Sequence, residues 1–237
     1  DQLSVALAVR GANPPRQPLD LTLVVDRSGS MAAEGRMDFV KRGLQQLVTQ
    51  LQPGDRVDLV WFDDRVCTPI EGLVVGRDSV QPLVRAIDAV TPRGATDLDA
   101  GLREAFRIQT GRDAQDVHGR SRRVVVITDA ELNRGVVSPA LVAHVGEMLD
   151  QHDVRLSGVG VGRTFDDTVL DRLTERGRGA YVYLGSASVV DRVFGVGFDA
   201  LVRTVAHDVR FALDLPDSLG VARFYGEEIS TDVRDVQ

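Results

Sequence analysis

The sequence predicts an α/β domain with a doubly wound, mostly parallel sheet and helices on both faces. Strand-like and helix-like segments alternate along the chain, as they do in successive β-α-β units. Several of the strand-like segments are almost entirely apolar, which is typical of central parallel strands that are covered on both faces. The chain has 237 residues, of which 43% are hydrophobic, and this is enough for one large domain with a sizeable core.

Hydrophobic periodicity and turn residues predict the elements in chain order. Residues 3–9 alternate with period two, as a half-buried strand does, and a proline-rich linker follows them. Leu19–Val25 is the first buried strand, and apolar residues at helical spacing predict a helix over Met37–Leu51. Further strands are predicted at Val57–Phe62, Val66–Val75 (antiparallel, at the edge), Arg123–Thr128, Val154–Val161 and Ala180–Leu184. Further helices are predicted at 78–90, 97–108, 138–151, 167–176 and 187–204, with an exposed loop at 109–120.

The two ends of the chain depart from this pattern. Apolar residues alternate again between Val209 and Leu215, so we expect this tail strand to pair with the amino-terminal strand in a small β-element. The predicted organisation is an amino-terminal strand and linker over 1–18, the main domain over 19–204, and a carboxyl-terminal β-segment over 205–237. The absence of an initiator methionine suggests a piece of a longer protein.

Composition excludes several classes of function. The net charge of −7 argues against nucleic-acid binding, which requires a basic surface. Cys67 is the only cysteine, so the chain can form neither an internal disulfide nor a zinc site built on cysteines. No apolar run approaches the roughly 20 residues that a membrane-spanning helix needs, so we expect no membrane span. The cellular compartment stays open.

Small oxygen-bearing side chains follow two of the predicted strands and precede one predicted helix. The first strand ends in the run Asp26-Arg27-Ser28-Gly29-Ser30, and the strand that ends at Thr128 is followed by Asp129. Between them, Gly94-Ala95-Thr96 opens a helix. Ligands of open α/β sheets bind beyond the carboxyl ends of the strands, and a hard cation such as Mg²⁺ prefers oxygen ligands. These residues therefore predict a cation site at that edge.

The three motifs together resemble the von Willebrand factor A domain and its metal-ion-dependent adhesion site (MIDAS). The resemblance covers roughly residues 19–204. It implies that Ser28, Ser30 and Thr96 supply hydroxyl ligands and that Asp26 and Asp129 supply carboxylates, partly through water. It implies Mg²⁺ as the ion, with Mn²⁺ or Ca²⁺ as other candidates. It also implies that an Asp or Glu from a protein partner, or from another segment of the parent chain, completes the coordination.

One residue departs from the family pattern. The family usually has glycine after the last aspartate, and this chain has Ala130. Glycine permits backbone angles that alanine resists and leaves room near the metal, so we expect the change to tune the loop and not to destroy the site.

Three functions compete. The leading hypothesis is a non-enzymatic, cation-dependent protein-binding module. A Mg²⁺-dependent phosphoryl-transfer hydrolase with Asp26 as nucleophile is the main alternative, but such enzymes typically carry a second aspartate where this chain has Ser28. A metal-free structural scaffold is the third hypothesis, supported only by Ala130.

Each polar residue of the motifs also has a structural interpretation, because serine, threonine and aspartate are common helix caps. The other acids near the predicted site are expected to be solvated loop charges: Asp63, Asp64, Asp97, Asp99 and Glu131. Arg27, Arg93 and Arg134 are candidates for steering an acidic partner.

Overall fold

The computed structural model describes residues 16–129, 139–162, 178–184, 186–198, 202, 211–212 and 235–236. Contacts between residues divide the chain into two compact units. The larger unit spans 16–203, and the smaller unit combines 1–15 with 204–237. The predicted strand at 3–9, the predicted helix at 167–176 and Ala130 lie outside the described residues.

A mixed sheet forms the centre of the larger unit. Its strands are β1 (Leu19–Asp26), β2 (Arg56–Phe62), β3 (Val66–Val74), β4 (Ser121–Thr128), β5 (Arg155–Val161) and β6 (Arg178–Leu184). Their order is β3-β2-β1-β4-β5-β6, and every neighbouring pair is parallel except β2 with β3. The strand order therefore reverses between β1 and β4, where a ligand site is expected. The predicted α/β, doubly wound and mostly parallel fold is confirmed.

The described residues contain six α-helices, and four of them lie close to helices predicted from the sequence. The six helices are α1 (Arg36–Gln50), α2 (Gln81–Ala89), α3 (Leu98–Thr110), α4 (Ala114–Val117), α5 (Pro139–Gln151) and α6 (Ala187–Asp191). A 3-10 segment, Gly29–Gly35, connects β1 to α1. The predicted loop at 109–120 contains the end of α3 and the short α4, and α6 continues into a π-helical turn that is kinked at Gly195. None of the helices in the described ranges is long and apolar enough to cross a membrane.

Two apolar layers cover the two faces of the sheet. Leu21 and Leu23 of β1 pack in the layer that contains α1, whereas Val24 packs in the layer that contains α3. Successive side chains of a strand point to opposite faces, so one apolar run fills both layers. Leu44 of α1 and Leu102 of α3 are fully buried opposite the sheet. The apolar layers thus cover both faces of β1 and β4, the two central strands of the sheet.

A buried ion network lies near the amino-terminal ends of β1 and β2. Asp20 and Asp58 have no exposed surface, and Arg112 forms ion pairs with both. Thr22 Oγ1 donates to Asp58 Oδ2 at 2.7 Å. The network joins β1, β2 and the segment after α3 at the sheet end opposite Asp26.

In the smaller unit, β7 (Phe211–Ala212) pairs antiparallel with β8 (Asp235–Val236). The tail strand thus has a partner near the carboxyl terminus. Residues 3–9 lie outside the described part of the chain, so their pairing with the tail strand stays a prediction.

Candidate metal centre

The run that follows β1 is a tight loop built around Asp26. The carboxylate is fully buried; its Oδ1 accepts from the Ser28 backbone N–H at 2.7 Å, and its Oδ2 accepts from Thr128 Oγ1 at 2.6 Å. Ser28 Oγ and Ser30 Oγ lie 3.0 Å apart, with Ser28 buried and Ser30 half-buried. Asp26 therefore bonds both to β4, through Thr128, and to its own loop, through Ser28. In this loop the hydroxyls of Ser28 and Ser30 face each other.

The loop that contains Gly94 and Thr96 lies against the Ser28–Ser30 loop. Gly94 adopts a left-handed φ of +69°, and its carbonyl accepts from the Gly29 N–H at 3.1 Å. A Cβ at this position would lie 2.7 Å from Asp64 Oδ1, so both the φ and the close approach favour glycine. The turn leads directly to Thr96, which is fully buried.

Asp129 lies just beyond the end of β4, next to β1 in the sheet, and is 1% exposed. Arg36, the first residue of α1, donates from Nη1 to Asp129 Oδ2 at 2.7 Å. The same Nη1 lies 3.5 Å from the Ser30 carbonyl oxygen. Sequence reasoning did not single out Arg36, because a basic residue at the start of a helix has no periodic or motif signature.

Asp63, expected to be a solvated loop charge, is instead fully buried. Its Oδ2 lies 2.8 Å from Nε of Arg27 and 2.8 Å from Nε of Arg93. One arginine comes from the Asp26–Ser30 loop and the other from the loop before Gly94. Burial raises the pKa of Asp63, but the hydrogen bonds from Arg93 and the Arg65 N–H prevail and hold it below its usual value. The prediction was wrong because sequence spacing does not show which loops converge.

The other acids expected to be solvated loop charges differ in their surroundings. Asp97 caps α3 by accepting from the Ala100 N–H at 3.0 Å. Asp99 lies in the first turn of α3 and pairs with Arg103 at 2.7 Å. Asp64 is exposed. Glu131 and Arg134 lie outside the described residues.

Burial raises the pKa of Asp26 to about 6, although hydrogen bonds from Thr128 and Ser28 oppose the rise. The negative charge of Asp129 adds to it. The carboxylates of Asp26 and Asp129 therefore repel each other at the point where the strand order reverses. A bound cation would reduce this repulsion.

The five predicted ligand residues thus share one edge of the sheet. Four of them are buried, at no more than 1% exposure, and all five side chains offer oxygen. This donor set fits a hard divalent cation, which prefers hydroxyl, carboxylate and water oxygens. Across the described ranges, no group of three or more His, Cys, Asp or Glu side chains offers a competing metal site. Cation binding itself stays a prediction.

Known proteins resemble this chain in both sequence and fold. The uncharacterized protein YfbK of Escherichia coli is 26% identical over 198 residues, which cover 82% of this chain and 33% of that protein. The structure of BatB from Bacteroides thetaiotaomicron superposes with a TM-score of 0.64 at 17% identity, covering 78% of this chain and 100% of that one. The mussel byssus protein PTMP1, solved with a zinc-occupied MIDAS motif, gives a TM-score of 0.59 at 21% identity, covering 76% of this chain and 44% of that one.

At these identities the structural matches show the fold alone. The chain spans only part of its curated relatives: 33% of YfbK and 49% of the Synechocystis protein sll0103. The profile of the von Willebrand factor type A domain matches residues 19–183, which include the whole of β1 to β5 and all five candidate ligands. The chain therefore belongs to the von Willebrand factor type A domain family.

Proposed function

We propose that the chain is a non-enzymatic, divalent-cation-dependent protein-binding module. Asp26, Ser28, Ser30, Thr96 and Asp129 would hold the ion, with Mg²⁺ as the first candidate and Mn²⁺ or Ca²⁺ as alternatives. The observation that carries the proposal is the convergence of these oxygen donors, from three loops, at the reversal of strand order. The zinc-occupied MIDAS of the mussel relative supports it by analogy.

The bound ion would supply an electrophilic position for an anionic ligand. Two carboxylates roughly neutralise a divalent ion, and the hydroxyls add no charge. A carboxylate from an Asp or Glu of a protein partner, or from another segment of the parent chain, would then complete the coordination. The domain carrying this site is proposed to span 19–204, with the chain ends over 1–18 and 205–237 forming a separate β-element.

The hydrolase alternative has weak support. A carboxylate nucleophile needs an accessible oxygen, but both oxygens of Asp26 accept hydrogen bonds and the side chain is fully buried. Ser28 also stands where phosphoryl-transfer enzymes typically carry a second aspartate. Turnover of generic phosphate monoesters, abolished by Asp26→Asn, would establish the alternative.

Thermal unfolding of chelator-treated protein tests the cation site. A ligand that binds only the folded state raises its stability, by about 2.7 kcal/mol at one hundred times Kd. We expect millimolar Mg²⁺ to raise Tm for the parent chain, and Ser28→Ala/Ser30→Ala to abolish that rise. Ser79→Ala, at an exposed serine before α2, is the matched control. An equal Mg²⁺ effect in the double variant would place the ion elsewhere.

Peptide display tests the partner chemistry. A random peptide library is selected on the immobilised chain with Mg²⁺ and, in parallel, with chelator. We expect Mg²⁺-dependent binders to share an Asp or Glu whose replacement by Asn or Gln removes binding. Selected peptides that bind equally well in chelator would contradict cation-dependent recognition.

A further inference from the structure

A buried arginine contacts one of the proposed ligands. Arg36 is 4% exposed, and its Nη1 donates to Asp129 Oδ2 at 2.7 Å. Its Nη2 lies 3.8 Å from Glu34 Oε2, at the half-exposed rim of the 3-10 segment. A permanent positive charge therefore lies beside the carboxylate on which a divalent cation would also depend.

The fold leaves space for this guanidinium. Gly162, directly after β5, has a φ of +99°, and a Cβ built on it would lie 2.5 Å from Arg36 Nε and 3.0 Å from Cζ. Any other residue at 162 would have both a strained backbone and a clash with the arginine. Two separate segments, the start of α1 and the end of β5, thus combine to seat the positive charge against Asp129.

The charges of the site follow directly. Asp26 and Asp129 contribute −2 when ionised and Arg36 contributes +1, so these three buried side chains sum to −1 in the metal-free protein, with Glu34 outside the sum because its side chain is half-exposed. Without Arg36 the same centre would carry −2, with a buried carboxylate lacking this counter-charge. Removal of Arg36 would therefore destabilise the metal-free fold, and the charge of Arg36 would oppose an incoming divalent ion.

We propose that Arg36 is an affinity-determining residue that acts as a built-in cation: it balances Asp129 in the metal-free protein and lowers the affinity of the centre for divalent ions. With the ion bound, the three charged side chains and the metal sum to +1, which favours an anionic partner group. The inference rests on the proposed function for the identity of the centre. This role of Arg36 differs from a purely orienting one. If Arg36 only oriented Asp129, its loss would misplace Asp129 and weaken ion binding.

Calorimetric titration of chelator-treated protein with Mg²⁺ distinguishes these roles. We expect Arg36→Gln to bind Mg²⁺ at least about tenfold more tightly than the parent chain, corresponding to about 1.4 kcal/mol. Arg36→Lys keeps the charge, so its affinity should stay close to that of the parent. Arg42→Gln is the matched control, because Arg42 lies on the same helix in an exposed ion pair with Asp191. Affinity unchanged or weakened by Arg36→Gln overturns the proposal.

Thermal unfolding in chelator supplies a second readout. Arg36→Gln should have a lower Tm than the parent chain without metal and should gain more from Mg²⁺. Adding Asp129→Asn should recover much of the loss in chelator, because it removes the uncompensated charge. If Arg36→Gln fails to fold without metal, Mg²⁺ should restore its circular dichroism spectrum, and failure to restore it counts against the proposal.

The same titrations separate this inference from the proposed function. Binding by Arg36→Gln but not by the parent chain would support the inference and contradict a working cation site in the natural sequence. Binding by the parent with no gain in Arg36→Gln would contradict only the inference. Absence of binding in both chains would contradict both.

Discussion

At the residue scale, the candidate centre depends on two buried carboxylates, Asp26 and Asp129. Asp26 and Asp129 are at most 1% exposed, and burial is the largest cause of the raised pKa of Asp26. A hydrogen-bonded loop offsets part of the cost of ionising Asp26 through the Ser28 N–H and the Thr128 hydroxyl. A divalent cation bound at the proposed site would offset the remaining cost of ionising Asp26.

The pKa of Asp26, about 6 in the fold against an ordinary 3.8, predicts a pH effect on the metal-free protein. Burial also raises the pKa of Asp58 to about 6, so that carboxyl adds a dependence of its own. At Asp26 the folded state binds more protons than the unfolded state between about pH 4 and 6, so the contribution of Asp26 to stability falls as pH rises through that window. Asp26→Asn should remove this dependence and stabilise metal-free protein at pH 7 by up to about 3 kcal/mol. Urea unfolding in chelator at several pH values measures the free energy of unfolding of both proteins. The same pH dependence in the parent chain and in Asp26→Asn would contradict a raised pKa at Asp26.

Asp63 is the residue-scale contact that sequence reasoning missed. It pairs with Arg27 and Arg93, which flank the two proposed ligand loops. Asp63→Asn should weaken Mg²⁺ binding about tenfold, the usual effect of losing a group that orients metal ligands. Calorimetry measures the change, with Asp113→Asn as control, because Asp113 is exposed and makes no side-chain capping hydrogen bond before α4. Equal affinities for the two variants would show that the two ion pairs do not position the loops.

At the element scale, most of the fold could be predicted from sequence. The nearly all-apolar run Leu19–Val25 and the helical spacing over Met37–Leu51 match β1 and α1 to within a residue or two, because the apolar pattern reflects burial directly. The short α4 was missed because four residues carry too little periodicity. The contacts of Arg36 and Asp63 were missed because they join segments distant in sequence, which no local pattern encodes.

The buried network between β1, β2 and the segment after α3 should contribute strongly to stability. Arg112 pairs with Asp20 and Asp58, both fully buried. Arg112→Leu should lower the free energy of unfolding by about 3–5 kcal/mol, because Asp58 loses its ion pair and Asp20 keeps only the longer pair with Arg56, at 3.6 Å. Arg77→Leu, which breaks the exposed pair with Asp78, should change it little. Urea unfolding of both variants is the measurement; similar effects would contradict the role of burial.

At the scale of the whole molecule, residues 16–203 form a compact unit that contains both apolar layers and all five proposed ligands. We predict that this fragment folds alone, with a cooperative urea transition and the same Mg²⁺-dependent rise in Tm as the full chain. Circular dichroism and thermal unfolding check this. A fragment with no cooperative transition would show that the chain ends are needed for the fold.

The family and the fold are established for this chain, and the cation site is the step that connects them to function. A domain with this topology offers loops at one edge of the sheet, and the sequence fills those loops with hydroxyls and carboxylates. The structure adds an arginine that shares one carboxylate with the proposed ion. The cation affinity of the natural chain is therefore the quantity on which the account depends.

Calorimetric titration of chelator-treated protein with Mg²⁺, beside an Asp26→Ala/Asp129→Ala variant, tests this most directly. The account predicts saturable binding of one ion per chain that is lost in the variant, while far-ultraviolet circular dichroism shows that the variant keeps its fold. Absence of binding in the parent chain, or equal binding in parent and variant, would contradict a cation site at the end of β1 and β4.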